Sequence, residues 1–88
     1  MYIIKFENSA ADDLLRLWKE NAKYVAKLLD LIFDIKKGNP YEGIGKPEEL
    51  KHDFGGWWSR RIKQKHRLVY KLADNMLIIL ACYGHYDD

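Results

Sequence analysis

Residues 76–82 read Met76, Leu77, Ile78, Ile79, Leu80, Ala81 and Cys82, an unbroken apolar run in a chain of 88 residues. Successive side chains of a strand point to opposite faces, so a strand that is apolar at every position is covered on both sides and belongs inside a sheet. The run is far shorter than the roughly 20 residues that a membrane-spanning helix needs. A chain of this length has room for one hydrophobic core. The remaining elements must therefore assemble around this strand, with helices covering one side.

Residues 2–6 are rich in Tyr, Ile and Phe and predict a short strand. Ser9 offers an N-cap, with Asp12 in a capping-box position and Asp13 favouring the positive end of a helix. Ala11, Leu14, Leu15 and Trp18 recur at helical spacing and predict its buried stripe, so Trp18, like Trp58 further on, reads as core. Asn21 can cap a second helix whose apolar face carries Val25, Leu28, Ile32 and Ile35. Gly38 suits a left-handed residue after that helix, and Pro40 cannot continue it, so the helix ends near Lys37. Residues 39–56 hold Pro40, Gly43, Gly45, Pro47, Gly55 and Gly56 and predict a long shaped loop, with a brief extended piece at 50–53. Strands are expected at 57–63, 66–73 and 76–83, the last two joined by a hairpin at Asp74-Asn75. The order β-α-α-β-β-β contains no repeat or linker. It predicts an α+β fold in which one domain, residues 1–88, has an N-terminal strand, a helical hairpin and then a C-terminal antiparallel sheet.

The formal net charge is only +2 but is unevenly placed. Residues 57–72 contain Arg60, Arg61, Lys63, Lys65, Arg67 and Lys71 with no acid, interleaved with Trp57, Trp58 and Tyr70. Positive charge beside flat aromatic surface can hold phosphates and stack unpaired bases. An ordinary solvated strand face is the competing reading. Strand alternation puts Trp57, Ser59, Arg61 and Lys63 on one face, opposite Trp58, Arg60 and Ile62, and turns Arg67, Val69 and Lys71 away from Leu68, Tyr70 and Leu72. By the same parity His66 faces the packed side. One face is greasy and the other cationic.

A cationic face beside loop carboxylates, in a chain that ends in His85-Tyr86-Asp87-Asp88, holds the ingredients for cutting RNA by acid–base chemistry with neither metal nor cofactor. A base takes the proton of a 2′-hydroxyl, that oxygen attacks the adjacent phosphorus, and an acid protonates the departing 5′-oxygen. Arginine suits the charge that gathers on the phosphoryl oxygens, since it stays ionised and offers a planar fork. Residue types alone do not choose Glu48 over Glu49, and only parity prefers Arg61 to Arg60. Cys82-x-x-His85 is a poor metal site, because an odd offset along a strand sends the two side chains to opposite faces.

The segments Pro40-Tyr41-Glu42-Gly43-Ile44-Gly45-Lys46-Pro47-Glu48, Leu50-Lys51-His52, Trp58-Ser59-Arg60-Arg61-Ile62, His66-Arg67-Leu68-Val69-Tyr70 and His85-Tyr86 resemble the YoeB/Txe branch of the RelE toxin superfamily. The resemblance spans about the C-terminal half, and the helical hairpin fits the same layout. It implies a RelE-like fold and a toxin of a type II toxin-antitoxin system, a ribosome-dependent mRNA endonuclease (mRNA interferase) that enters the ribosomal A site, cleaves mRNA and stops translation. A YefM-type antitoxin is the implied partner, with operator DNA met only through the antitoxin complex. Homodimerisation is consistent with the resemblance. By the same resemblance Glu48 is the general base, Arg67 stabilises the transition-state phosphate, His85 is the general acid and Tyr86 positions the substrate. Lys51 and Arg61 support as cations, Lys63 and Trp57 extend the RNA-binding face, and His52 assists at its rim. A lone cysteine, an N-terminus without a signal-peptide core and no membrane segment point to the cytoplasm.

Three features depart from the family pattern: Asp87 and Asp88 follow the His-Tyr pair, Cys82-Tyr83-Gly84 replaces a segment where an arginine is often found, and Lys65 replaces a position that is often acidic. Gly84 is expected to loosen the terminus. Two rival functions remain open: a ParE-type toxin that uses the same fold to inhibit DNA gyrase without the acid–base set, and a module that binds RNA or antitoxin without catalysis.

Overall fold

The computed structural model describes residues 2–84. The elements follow as β1 (Ile3–Phe6), α1 (Asn8–Glu20), α2 (Ala22–Lys37), β2 (Glu48–Glu49), a 3-10 turn (His52–Phe54), β3 (Trp58–Lys63), β4 (His66–Ala73) and β5 (Met76–Ala81). This is the α+β arrangement expected, with one difference in the sheet. The strand order is β1-β5-β4-β3-β2, and β1 joins β5 in parallel, from Ile3 opposite Met76 to Phe6 opposite Ile79. The two helices carry the chain back across the sheet between β1 and the later strands, which lets β1 run alongside β5. The sheet is therefore mixed, and β5, flanked by β1 and β4, lies inside it as its apolar run requires.

The helical hairpin covers one face. Leu28, Leu31, Ile32 and Ile35 of α2 and Ala10 and Leu17 of α1 pack on Ile62, Leu68, Tyr70, Leu77 and Ile79. The second helix behaves as its sequence predicts: the Asn21 side chain accepts a hydrogen bond from the Lys23 amide at 3.0 Å, and the helix ends at Lys37. Gly38 takes φ −123°, not a left-handed conformation, and closes the helix by donating its amide to the Asp34 carbonyl at 3.0 Å.

The first helix departs further. Its N-cap is Glu7, with no side-chain cap bond, and the Ser9 hydroxyl instead donates to the Leu80 carbonyl at 3.3 Å. The expected stripe is apolar but rotated off the sheet. Ala11, Leu15 and Trp18 are exposed, Trp18 by 57%, and with Leu14 and Val25 they line an open groove of about 320 Å³. Ala10 and Leu17, two turns apart, are buried in the core, and half-buried Leu14 of the expected stripe packs against it. Trp58 does pack against the core and meets the Tyr41 ring at 4.6 Å.

The opposite face of the sheet carries a small second cluster of Leu50, Val69 and Ala81 with Phe54, Trp57 and Leu80. A register shift between β4 and β5 sets Val69 opposite Ala81 and Tyr70 opposite Ile79, so the alternation of β5 changes near its end. Ala81 thereby joins the open face, while Cys82 returns to the helix side, where its Sγ lies 3.6 Å from the Ala10 carbonyl. Burial, followed by the nearby Asp13 carboxylate, pushes the Cys82 thiol up to about 12. Among the described residues no helix is long and apolar enough to cross a membrane.

The loop between α2 and β2 is held chiefly by the Arg60 side chain. Arg60 is fully buried and donates to Asp34 Oδ2 at 2.6 Å, Tyr70 Oη at 3.1 Å, and the carbonyls of Asn39, Pro40, Glu42 and Ile44 at 3.2, 3.2, 2.8 and 3.1 Å. A buried guanidinium is tolerated only when its donors are met in this way. Tyr70 Oη in turn donates to the Pro40 carbonyl at 2.6 Å. The loop passes so close to this arrangement that Gly45, at φ +80°, has no room for a side chain: a Cβ there would lie 2.7 Å from Leu31 Cδ2.

Candidate active site

The loop clamped by Arg60 delivers the chain into β2, which pairs antiparallel with β3 at the sheet edge. Cross-strand partners share a face. Glu48 lies opposite Ser59, on the face of Arg61, whereas Glu49 lies opposite Trp58, on the face of Arg60. Backbone pairing thus separates two adjacent carboxylates that the sequence alone could not tell apart. Arg61 lies opposite Arg67. Residues two apart along a strand are separated by roughly 7 Å, so one carboxylate and two guanidinium-bearing residues occupy neighbouring positions on the open face. Glu48 and Arg61 are exposed and Arg67 is half-buried. The Arg61 amide donates to the Gly45 carbonyl at 2.7 Å, which ties the incoming loop to the same strand.

Arg67 is shaped by its own hairpin. Its Nη1 donates to the carbonyls of Lys63, Gln64 and His66 at 2.9, 2.8 and 3.3 Å. These contacts brace the β3–β4 turn and hold the guanidinium at the end of the face. Lys63 is the exception to the expected alternation. The ladder shifts register between Arg61 and Lys63, which sets Lys63 opposite His66 rather than continuing the row of Arg61. An extra residue in one strand breaks its two-residue period, a signal that a reading by parity cannot carry. Lys63 is exposed, and its carbonyl serves Arg67.

Lys51 and His52 lie just beyond β2, both exposed, at the start of the 3-10 turn. The expected extended piece at 50–53 falls instead at Glu48–Glu49, and His52 adopts φ +55° as the chain turns. Leu50 explains the offset: it buries its side chain in the open-face cluster and donates its amide to the Trp57 carbonyl at 2.9 Å, which closes the loop on itself. Trp57 is half-buried over the same cluster, with Lys71 Nζ at 5.4 Å from its ring centroid. Lys71 belongs with the candidate cations, and the parity that groups it with Arg67 and Val69 was the signal for it. His85 and Tyr86 lie outside the described residues. His66, as expected, is buried on the helix side, only 1% exposed.

Fold and site together define a small α+β protein whose helices back one side of a sheet and whose other side offers a cationic surface with a carboxylate at its edge. Residues 6–86 match the family described as YoeB-like toxin of bacterial type II toxin-antitoxin system. The chain is 48% identical over 75 residues to Toxin YoeB of Escherichia coli O6:H1, covering 85% of this chain and 88% of that one. Its fold is similar to that of the YoeB/ParE toxin from Agrobacterium tumefaciens, with TM-score 0.90 and 39% identity over 98% of this chain and all of the other. It is also similar to YoeB in the YoeB-YefM complex from Staphylococcus aureus, with TM-score 0.87 and 41% identity over 98% and 99% of the two chains. The chain belongs to the YoeB family of toxins of type II toxin-antitoxin systems.

Proposed function

We propose that the chain is a ribosome-dependent mRNA endonuclease that stops translation, and that a YefM-type antitoxin neutralises it. The observation that carries this reading is the strand register that gives Glu48, Arg61 and Arg67 one open face, because a base and paired guanidiniums are what attack by a 2′-hydroxyl on phosphorus demands. Glu48 takes the 2′-proton. The freed oxygen attacks phosphorus, and charge on the phosphoryl oxygens is met by Arg67 with Arg61 and Lys51 in support. The bond to the 5′-oxygen breaks, that oxygen takes a proton from His85, and a cyclic phosphate remains. Trp57 offers a flat surface for a base, and Tyr86 orients the substrate. The roles of His85 and Tyr86 rest on the family resemblance of those positions.

His85→Gln removes the acid while keeping a polar side chain of similar reach. It is expected to lower cleavage by about 10²- to 10⁴-fold while ribosome binding stays unchanged, measured by single-turnover cleavage and by co-sedimentation with ribosomes. Equal growth arrest by the variant and the parent chain would instead favour a toxin that acts by binding, as a ParE-type inhibitor of DNA gyrase does.

A further inference from the structure

The last described residue, Gly84, is held at both of its backbone polar groups. Its amide donates to His66 Nδ1 at 3.0 Å, and its carbonyl accepts from the Arg67 amide at 3.0 Å. A backbone amide can only donate, so the nitrogen facing it must present a lone pair. The neutral ring then carries its proton on Nε2, which lies 2.7 Å from Glu20 Oε2. Glu20 fixes the tautomer from the far end of α1. Its other oxygen accepts from the Tyr83 hydroxyl at 2.7 Å, and the Tyr83 ring lies 4.3 Å from the His66 ring, capped on its outer side by Arg16 at 4.1 Å. Tyr24 of α2 closes the remaining edge at 5.6 Å, and Lys65 approaches Glu20 Oε2 at 3.7 Å. Gly84 itself has φ +88°, a conformation that other residues rarely adopt. The glycine that the sequence marked as a loosening element is thus seated by two hydrogen bonds.

We propose that His66 is a positioning residue for cleavage, which fixes the Gly84 backbone to which His85 is joined. The inference rests on the function proposed above. Gly84 is bonded covalently to His85, and its carbonyl is bound by the amide of Arg67, so the same two hydrogen bonds fix where the chain leads into the general acid relative to the phosphate-binding arginine. Proton transfer in a cleavage step tolerates little misplacement, and an error of about 1 Å can cost about 10²-fold in rate. Cleavage therefore depends on a buried ring that is held by Glu20 and packed by Tyr24 and Tyr83.

Two amide substitutions split the two ends of the ring. His66→Asn can keep an acceptor at the place of Nδ1 and loses the Glu20 contact, whereas His66→Gln can keep a donor toward Glu20 and loses the Gly84 acceptor. The expected result is that H66Q lowers kcat by roughly 10- to 100-fold with little change in KM for programmed ribosomes. It also speeds hydrogen exchange at the Gly84 amide, read by NMR. H66N is expected to stay near the parent in rate and in Gly84 exchange, and thermal melts of both variants confirm a folded chain. Full cleavage by a folded H66Q chain, or equal Gly84 exchange in both variants, would overturn the proposal. If the parent chain itself cuts no message, the endonuclease reading fails, and Gly84 exchange alone decides whether His66 fixes the segment.

Discussion

Replacing Arg60 with Met is expected to cost about 3–5 kcal/mol of folding stability, the range for removing one partner of a buried ion pair. A domain of this kind has only about 5–15 kcal/mol in total, so the melting temperature should fall by more than about 12 °C. The cause is the number of groups that lose a donor: Asp34 Oδ2, Tyr70 Oη and four loop carbonyls all face the vacated site. The adjacent Arg61→Met, at an exposed position, should change stability by less than about 0.5 kcal/mol. Acid should expose the same interaction. The hydrogen bond from Arg60 holds the Asp34 carboxyl below its usual 3.8. A carboxylate with a lowered folded-state pKa contributes stability that is fully present above its unfolded value, near 4. That contribution disappears as the pH falls through the folded-state value. The parent chain should therefore lose stability below about pH 4 more steeply than R60M, with denaturant melts across that range as the measurement. Part of the slope should survive in R60M, because His66 and Tyr83 lower Glu20 in the same way.

Glu48→Gln is the corresponding test of chemistry. Gln keeps the size of the side chain and cannot take a proton from a 2′-hydroxyl, so cleavage should fall by about 10²- to 10⁴-fold. Stability should change by less than about 0.5 kcal/mol, since Glu48 is exposed on a two-residue edge strand. The neighbouring Glu49→Gln should leave cleavage near that of the parent, because its register partner is Trp58 and not Ser59. Equal losses from both substitutions would mean that loop charge, not a positioned base, drives the reaction. Rates from single-turnover assays on programmed ribosomes separate these outcomes.

The same strand pairing explains which parts of the molecule could be read from sequence. Asn21, the α2 stripe and the buried side of His66 were legible because a cap and a repeating face are local properties of consecutive residues. Trp18 was misread because helical periodicity finds an apolar face without saying which neighbour covers it. The parallel entry of β1 beside β5 depends on where two helices return the chain, which no local pattern records. Arg61 could be chosen over Arg60 by parity, but Lys63 could not be placed, since a single register shift overturns parity beyond it. Glu48 required a partner strand before its face had meaning. The motif resemblance supplied what spacing could not, while the bonds from His66 and Arg67 to Gly84 join residues far apart in sequence and are visible only in the fold.

Under the function proposed above, an acidic antitoxin segment is expected to bind the cationic face. The proposed target is nevertheless messenger RNA. Mapping the 5′ ends of messenger RNA in a translation reaction, with and without the chain, tests it most directly. New ends in register with codons are expected, appearing only when ribosomes are engaged and vanishing with Glu48→Gln. Cuts in naked RNA at the same positions, or arrest of translation without new ends, would contradict it.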